Sequence, residues 1–234
     1  MILGVIPARS GSKRIPLKNI KNFFGKPILA YSIESAKASG VFDKIIVSTD
    51  DEAVAKVARE HGAEAPFLRP DDISGDFSPV ASVAKHAIQY YEDECLAVDM
   101  ACVLFATAPF MKAEYIRKGY ELMREHPEKS FALSVTPFTF PIKRGLRIND
   151  QGELDALWPE HYLTRSQDLE SCYHECGQFF WGRSESFLEE KMTYSPDSLP
   201  VVIPEHLVHD IDTEQDWVRC EHLYFALKET GELE

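Results

Sequence analysis

An α/β architecture, a mainly parallel sheet with helices on both faces, is what the sequence predicts, and three observations predict it. Short β-branched or apolar runs at residues 2–6, 44–48, 101–105 and 131–135 read as buried strands. Between them the stretches 27–39, 51–61, 79–93 and 113–125 carry helical periodicity, and strands alternating with helices imply a parallel sheet covered on both sides. Punctuation agrees with the pattern: Asp50 or Asp51 can cap the second helix, and Gly40 and Gly62 lie just past two helices, where a left-handed cap is expected.

The rhythm breaks after Thr136. Residues 137–176 hold Pro137, Pro141, Gly145, Gly152 and Pro159 among short apolar pieces, which reads as an insertion of hairpins and loops. The α/β pattern then resumes with a helix at 184–191, a strand at 201–203 and a closing helix at 214–228, whose Trp217, Cys220, Leu223, Tyr224 and Leu227 share one side. At 234 residues with 44% hydrophobic content, residues 1–234 are expected to build one domain carrying that insertion.

Composition excludes several classes. A net charge of −13 repels nucleic-acid phosphates, so nucleic acid is not an expected partner. No apolar run of membrane-spanning length occurs, and no leader is expected, because Met1 opens directly into what reads as a core strand. Five scattered cysteines fit a reducing compartment, and a cytoplasmic protein without membrane contact is expected. Cys172-Tyr173-His174-Glu175-Cys176 lacks the second ligand pair that zinc needs.

Against that acidic background, the first 33 residues contain no Asp or Glu but six of the 25 basic residues. Within them, strand 2–6 runs into Pro7-Ala8-Arg9-Ser10-Gly11-Ser12-Lys13-Arg14, followed by Lys18-Asn19. In open α/β sheets ligands bind beyond the carboxyl ends of strands. Small residues there let backbone N–H groups of Ala8, Ser10, Gly11 and Ser12 approach phosphate oxygens, while Arg9, Lys13 and Lys18 supply charge. The loop follows neither the Walker pattern nor the Gly-x-Gly-x-x-Gly fingerprint.

Asp210-Ile211-Asp212 is the second constellation. In extended backbone the two carboxylates share a face and Ile211 turns toward the core. Two carboxylates beside a polyphosphate site suit magnesium, which binds through one or two of them plus substrate phosphates. A competing role for Asp212 is to cap, with Thr213, the helix that starts near Glu214. His209 is a candidate general base but is expected to position its neighbours.

Residues 6–19 together with Phe23-Phe24-Gly25-Lys26-Pro27, Ile46-Val47-Ser48-Thr49-Asp50, Arg69-Pro70 and Asp210-Ile211-Asp212-Thr213 resemble the cytidylyltransferases that activate nonulosonic acids. The resemblance spans nearly the whole chain. It is greatest to the bacterial pseudaminic acid branch, through Ala106-Thr107-Ala108-Pro109-Phe110 and Gly177-Gln178-Phe179-Phe180-Trp181-Gly182. It implies a Rossmann-like nucleotidyltransferase fold, CTP and Mg2+, with Arg9, Lys13, Lys18 and Asn19 on the triphosphate and ribose, Arg69 by the cytosine and Asp210 and Asp212 on the metal. Arg9, Lys18 and Asp212 would be the catalytic residues. It also implies a homodimer with shared active sites, in which Lys143 and Arg165 of the insertion reach the neighbour's substrate, and a product destined for a surface glycan such as flagellin.

Two departures from the sialic acid enzymes bear on the sugar. Phe105 stands where they carry Gln, and His174-Glu175-Cys176-Gly177 stands where they carry Arg-Pro-Asn-Gly. An aromatic in place of an amide suits a deoxy sugar, so pseudaminic acid is expected, with Phe105, His174 and Gln178 beside it; legionaminic and N-acetylneuraminic acids are the alternatives, and a non-catalytic nucleotide-binding protein a remoter one. Phe138, Phe140, Phe179, Phe180 and Trp181 would line the sugar pocket or pack in a dimer interface or the core.

Overall fold

A computed structural model describes residues 1–75 and 78–233. Its frame is a six-stranded sheet in the order β10-β6-β9-β5-β1-β4. The strands are β1 Ile2–Pro7, β4 Lys44–Ser48, β5 Met100–Leu104, β6 Phe131–Pro137, β9 Tyr173–Arg183 and β10 Ser198–Val202. Helices α1 Ile28–Ser39, α2 Glu52–Glu60, α3 Val80–Asp93, α4 Ala113–Glu125, α5 Ser184–Leu188 and α6 Glu214–Glu229 cover both faces. Two short hairpins complete the structure: β2 Asn22–Phe23 with β3 Lys26–Pro27, and β7 Leu146–Ile148 with β8 Leu154–Ala156.

The four strands read from apolar runs are present, as is the last one. Strand β1 lies parallel to both β4 and β5, and β10 parallel to β6. The central position is the departure: β9 runs antiparallel between β5 and β6. Its first four residues fall in the stretch expected to be insertion. Unlike the other strands it has no unbroken apolar run: Tyr173, His174 and Glu175 are exposed and Gly177 and Gly182 interrupt it, although it buries Phe179 and Trp181.

One apolar layer joins Ile6, Val47, Cys102, Ala132 and Trp181 with α1, α4 and α6; the other joins Leu3, Ile46, Val103 and Phe131 with α3 and α5. Gly182 of β9 exists as glycine for want of room, since a Cβ there would meet Phe187 at 2.6 Å and Phe131 at 2.7 Å. Asp51, rather than Asp50, caps α2 by accepting from the amides of Ala53 and Val54. Gly40 closes α1 at φ 69°.

Strands β1, β4 and β5 end together. The phosphate-type loop, Asp50 and Phe105 therefore leave the sheet on one side, and that side carries the clefts described next. Among the described residues no helix is long and apolar enough to cross a membrane.

Candidate active site

The loop after β1 is held by its own backbone bonds. Ala8 N–H donates to Ser48 O at 2.9 Å, Ser10 N–H to the Asp50 carboxylate at 2.7 Å and Ser12 N–H to Ser10 O at 2.8 Å. This corrects the sequence reading: three of the four small-residue amides expected to meet phosphate are already used within the protein, and Ala8 is fully buried. Gly11, with nothing within 4 Å of a Cβ position, keeps an open approach to its amide. Asp50 gains a role that sequence did not assign, anchoring the loop through both backbone and hydroxyl of Ser10.

Two clefts open side by side above this loop. One, of about 280 Å³, is walled by Arg9, Ser12, Arg14, Lys18, Asn19, Arg69 and Asp212. The other, of about 600 Å³, is walled by Thr136, His174, Glu175, Glu205, His209 and Asp210. Phe105 and Thr107 line both. A third cavity behind Phe105, with Leu133, Phe179, Phe180 and Tyr194, is apolar; Tyr194 donates a hydrogen bond to Glu175.

The smaller cleft is cationic and deep. Asn19 is held by donating to Arg9 O at 2.9 Å. Arg69 is 6% exposed, and its Nε and one Nη have no partner among the described residues. Such a buried donor set is costly unless a ligand accepts from it. Burial pulls the Arg69 pKa down, opposed by Asp50, although a guanidinium keeps its proton regardless. Lys18 donates to Ile211 O at 2.6 Å; burial lowers its pKa, against the pull of Asp212 and Asp210.

Asp210-Ile211-Asp212 enters from the opposite end of the chain. Ile211 is fully buried, as expected, but the carboxylates do not share one cleft: Asp210 lines the larger and Asp212 the smaller. Asp212 accepts from Arg14 at 2.8 Å. It does not cap α6; Thr213 does, in a reciprocal box with Asp216. His209 is tied by Nε2 to Asp216 O at 2.8 Å, a contact that orients the ring.

The remaining expected residues are dispersed. His174 lines the larger cleft. Gln178 is buried beneath it, its amide donating to Leu207 O at 2.7 Å. Lys143 pairs with Glu170 at 2.8 Å and Arg165 with Asp168 at 2.7 Å, both on the inserted segment and absent from the walls of the two clefts. Among the described residues no group of three or more His, Cys, Asp or Glu side chains could hold a metal by itself. Thr107, Thr136 and Thr139 line the larger cleft and were not found from sequence, where a single threonine at a strand end carries no signal.

Comparison with known proteins places this geometry. A family model described as "Cytidylyltransferase" matches residues 3–142, which hold β1, the loop, Arg69 and Phe105. The chain belongs to the cytidylyltransferase family. The enzyme is 41% identical over 222 residues to the pseudaminic acid cytidylyltransferase of Campylobacter jejuni, covering 95% of each chain. It is 34% identical over 231 residues to the CMP-N,N'-diacetyllegionaminic acid synthase of Legionella pneumophila, again 95% of each. Among solved structures, a CMP:2-keto-3-deoxy-manno-octonic acid synthetase complexed with CTP aligns with TM-score 0.71 at 16% identity, over 96% of this chain and 98% of that one. Such a likeness establishes a shared fold, and with it the nucleotidyltransferase architecture expected from sequence.

Proposed function

We propose that this cytidylyltransferase transfers CMP from CTP to the anomeric hydroxyl of a nonulosonic acid, pseudaminic acid, releasing pyrophosphate. The observation that carries the reading is 41% identity along 95% of a pseudaminic acid cytidylyltransferase, combined with two clefts that meet at Phe105 and Thr107. One cleft has the cations a triphosphate requires. The other has room and hydrogen-bonding groups for a sugar, with an apolar cavity behind Phe105 suited to deoxy and methyl groups.

In this reading Arg9, Ser10, Gly11, Ser12, Lys13, Lys18 and Asn19 surround the triphosphate and ribose, and the orphaned donors of Arg69 meet the cytosine. The anomeric oxygen attacks the α-phosphorus at the junction of the clefts, and the bond to the β-phosphate oxygen breaks. Lys18 and Arg9 neutralise the charge gathering on pyrophosphate. Holding both substrates at that junction supplies much of the rate, because it replaces a bimolecular encounter.

A divalent metal fits the donor set. Asp210 and Asp212 offer hard oxygens from either side of the junction, and the want of a third protein ligand matches magnesium's habit of completing its shell with substrate phosphates and water. When bound there, Mg2+ supplies acidification of the attacking hydroxyl and neutralisation of phosphate.

A homodimer with shared sites completes the proposal. Among the described residues the larger cleft is walled by Glu175, Glu205 and Asp210 with no Lys or Arg, so an anionic sugar acid needs cations from elsewhere. Lys143 and Arg165 lie on an inserted segment that exposes Phe140, Ile148, Leu154, Tyr162 and Leu163, an apolar surface of the kind that marks an interface. Incubation with CTP, Mg2+ and pseudaminic, legionaminic, N-acetylneuraminic or 3-deoxy-octulosonic acid, read by mass spectrometry, tests the reading. The highest kcat/KM is expected with pseudaminic acid; preference for another sugar, or no CMP-sugar at all, overturns it.

A further inference from the structure

The larger cleft contains a hydrogen-bonding pair that none of the steps above uses. Thr136, the penultimate residue of β6, is 2% exposed, yet its hydroxyl has no partner. A buried hydroxyl without one costs free energy that a bound ligand can recover. Directly opposite in the β6·β9 register stands His174, and both side chains wall the cleft. Residues facing each other across an antiparallel pair hold their Cβ atoms roughly 5 Å apart on one face.

The tautomer of His174 follows from its contact. Nδ1 lies 2.7 Å from Glu175 O. A carbonyl only accepts, so Nδ1 carries a proton, and the Nδ1–H tautomer presents Nε2 as a lone pair. The ring of Phe138, 4.7 Å away centroid to centroid, packs against the imidazole. The cleft thus offers an O–H donor and, beside it, a nitrogen acceptor.

A secondary amide offers a carbonyl acceptor along one edge and an N–H donor along the opposite edge, so a donor and an acceptor that flank it can hold both. The relatives' sugars carry such groups by name: N,N'-diacetyllegionaminic acid and N-acylneuraminate. Resting on the reading of the larger cleft as the sugar site, we propose that Thr136 and His174 together clamp an acetamido group of the sugar, Thr136 donating to its carbonyl and His174 Nε2 accepting from its N–H. This pair would make the enzyme specific for N-acylated sugar acids over those bearing hydroxyl groups at the same carbon. Discrimination of this type is strong because an analogue lacking the amide leaves buried polar groups unpaired.

The test uses the full-length enzyme with CTP and Mg2+ and two sugars: pseudaminic acid, and a nine-carbon 2-keto-3-deoxy acid with hydroxyls in place of its acetamido groups. Thr136→Val keeps the side-chain shape and removes the donor. It is expected to raise the KM for the acetamido sugar roughly 10-fold, with the KM for CTP at its wild-type value and no added penalty on the hydroxyl analogue; Thr136→Ser restores the wild-type KM. An unchanged KM, or an equal loss on both sugars, overturns the proposal. Should Thr136→Val fail to fold, by circular dichroism, His174→Leu carries the same comparison from the exposed side of the pair. Wild-type enzyme that converts no N-acylated sugar removes the sugar-site reading itself, whereas wild-type turnover with an indifferent Thr136 variant removes only the clamp.

Discussion

Lys18 is where the charges of the site converge. Its ammonium is held by Ile211 O, and burial lowers its pKa against the attraction of Asp212 and Asp210. Phosphate arriving beside it adds negative charge, which favours the protonated form. CTP binding therefore raises the Lys18 pKa, so binding takes up a proton once the pH approaches the lowered free-state value, and affinity declines as pH rises further. Calorimetry at alkaline pH in two buffers of different ionisation enthalpy measures that uptake; Lys18→Met is expected to abolish it, and an unchanged proton count in the variant assigns the uptake elsewhere. The same residue bears on rate. Loss of one charged contact to a developing anion costs on the order of 10²–10³ in kcat, and Lys18→Ala and Asp212→Ala should each lower pyrophosphate release by that much in a continuous assay. Near-full release by either would remove it from the catalytic set.

The aspartate pair depends on how α6 begins. Thr213 accepts from Asp216 N–H while the Asp216 carboxylate accepts from Thr213 N–H at 2.8 Å and Asp212 N–H at 3.2 Å. These contacts lower the Asp216 pKa, the Thr213 hydroxyl contributing most. The cap therefore fixes the backbone that carries Asp212. Thr213→Ala is expected to cost about 1 kcal/mol, a fall of roughly 2–4 °C in Tm for a chain of this size, with a raised Mg2+ requirement in the same variant; a full loss of stability without any change in metal dependence would separate the cap from the site. Elements of this sort show how much the sequence discloses. Strands β1, β4, β5 and β6 were legible as short continuous apolar runs, and helices α1–α4 by their helical period. Strand β9 was hidden, because its first three residues are exposed and polar or aromatic and its Gly177 and Gly182 interrupt any apolar run. The cationic loop and Asp210-Ile211-Asp212 stood out by charge, a property of sequence. Which amides remain free, which carboxylate faces which cleft and the orphaned Thr136 hydroxyl are properties of packing, and only the folded chain supplies them.

At the scale of the whole molecule, the site looks unfinished. The acidic chain gathers Arg9, Arg14, Lys18 and Arg69 at the smaller cleft and leaves the larger cleft with carboxylates and histidines, while the β7–β8 hairpin and the segments flanking it point apolar side chains into solvent. Leu163 is 88% exposed and Phe140 81%, a cost that association would remove. Closed two-fold pairing is the commonest way for a chain to cover such a face. Leu163→Glu combined with Ile148→Glu is expected to convert a dimer into a monomer in sedimentation velocity, because burying unpaired carboxylates at an interface is unfavourable, and to abolish activity although the clefts of each chain are intact. Mixing separates sharing from simple stability. Lys143→Ala/Arg165→Ala lacks only the cations lent to a neighbour, and Asp212→Ala lacks only its own acceptor site. If sites are shared, exchange of subunits between these two inactive variants assembles one complete site per mixed dimer, the intact Asp212 of one chain facing the intact Lys143 and Arg165 of the other, and pyrophosphate release returns. Recovery should grow with incubation time as subunits exchange and vanish when the interface carries the two glutamates. A wild-type chain that sediments as a monomer at working concentrations, or a mixture that stays inactive after exchange is confirmed, would mean that Lys143 and Arg165 serve their own chain.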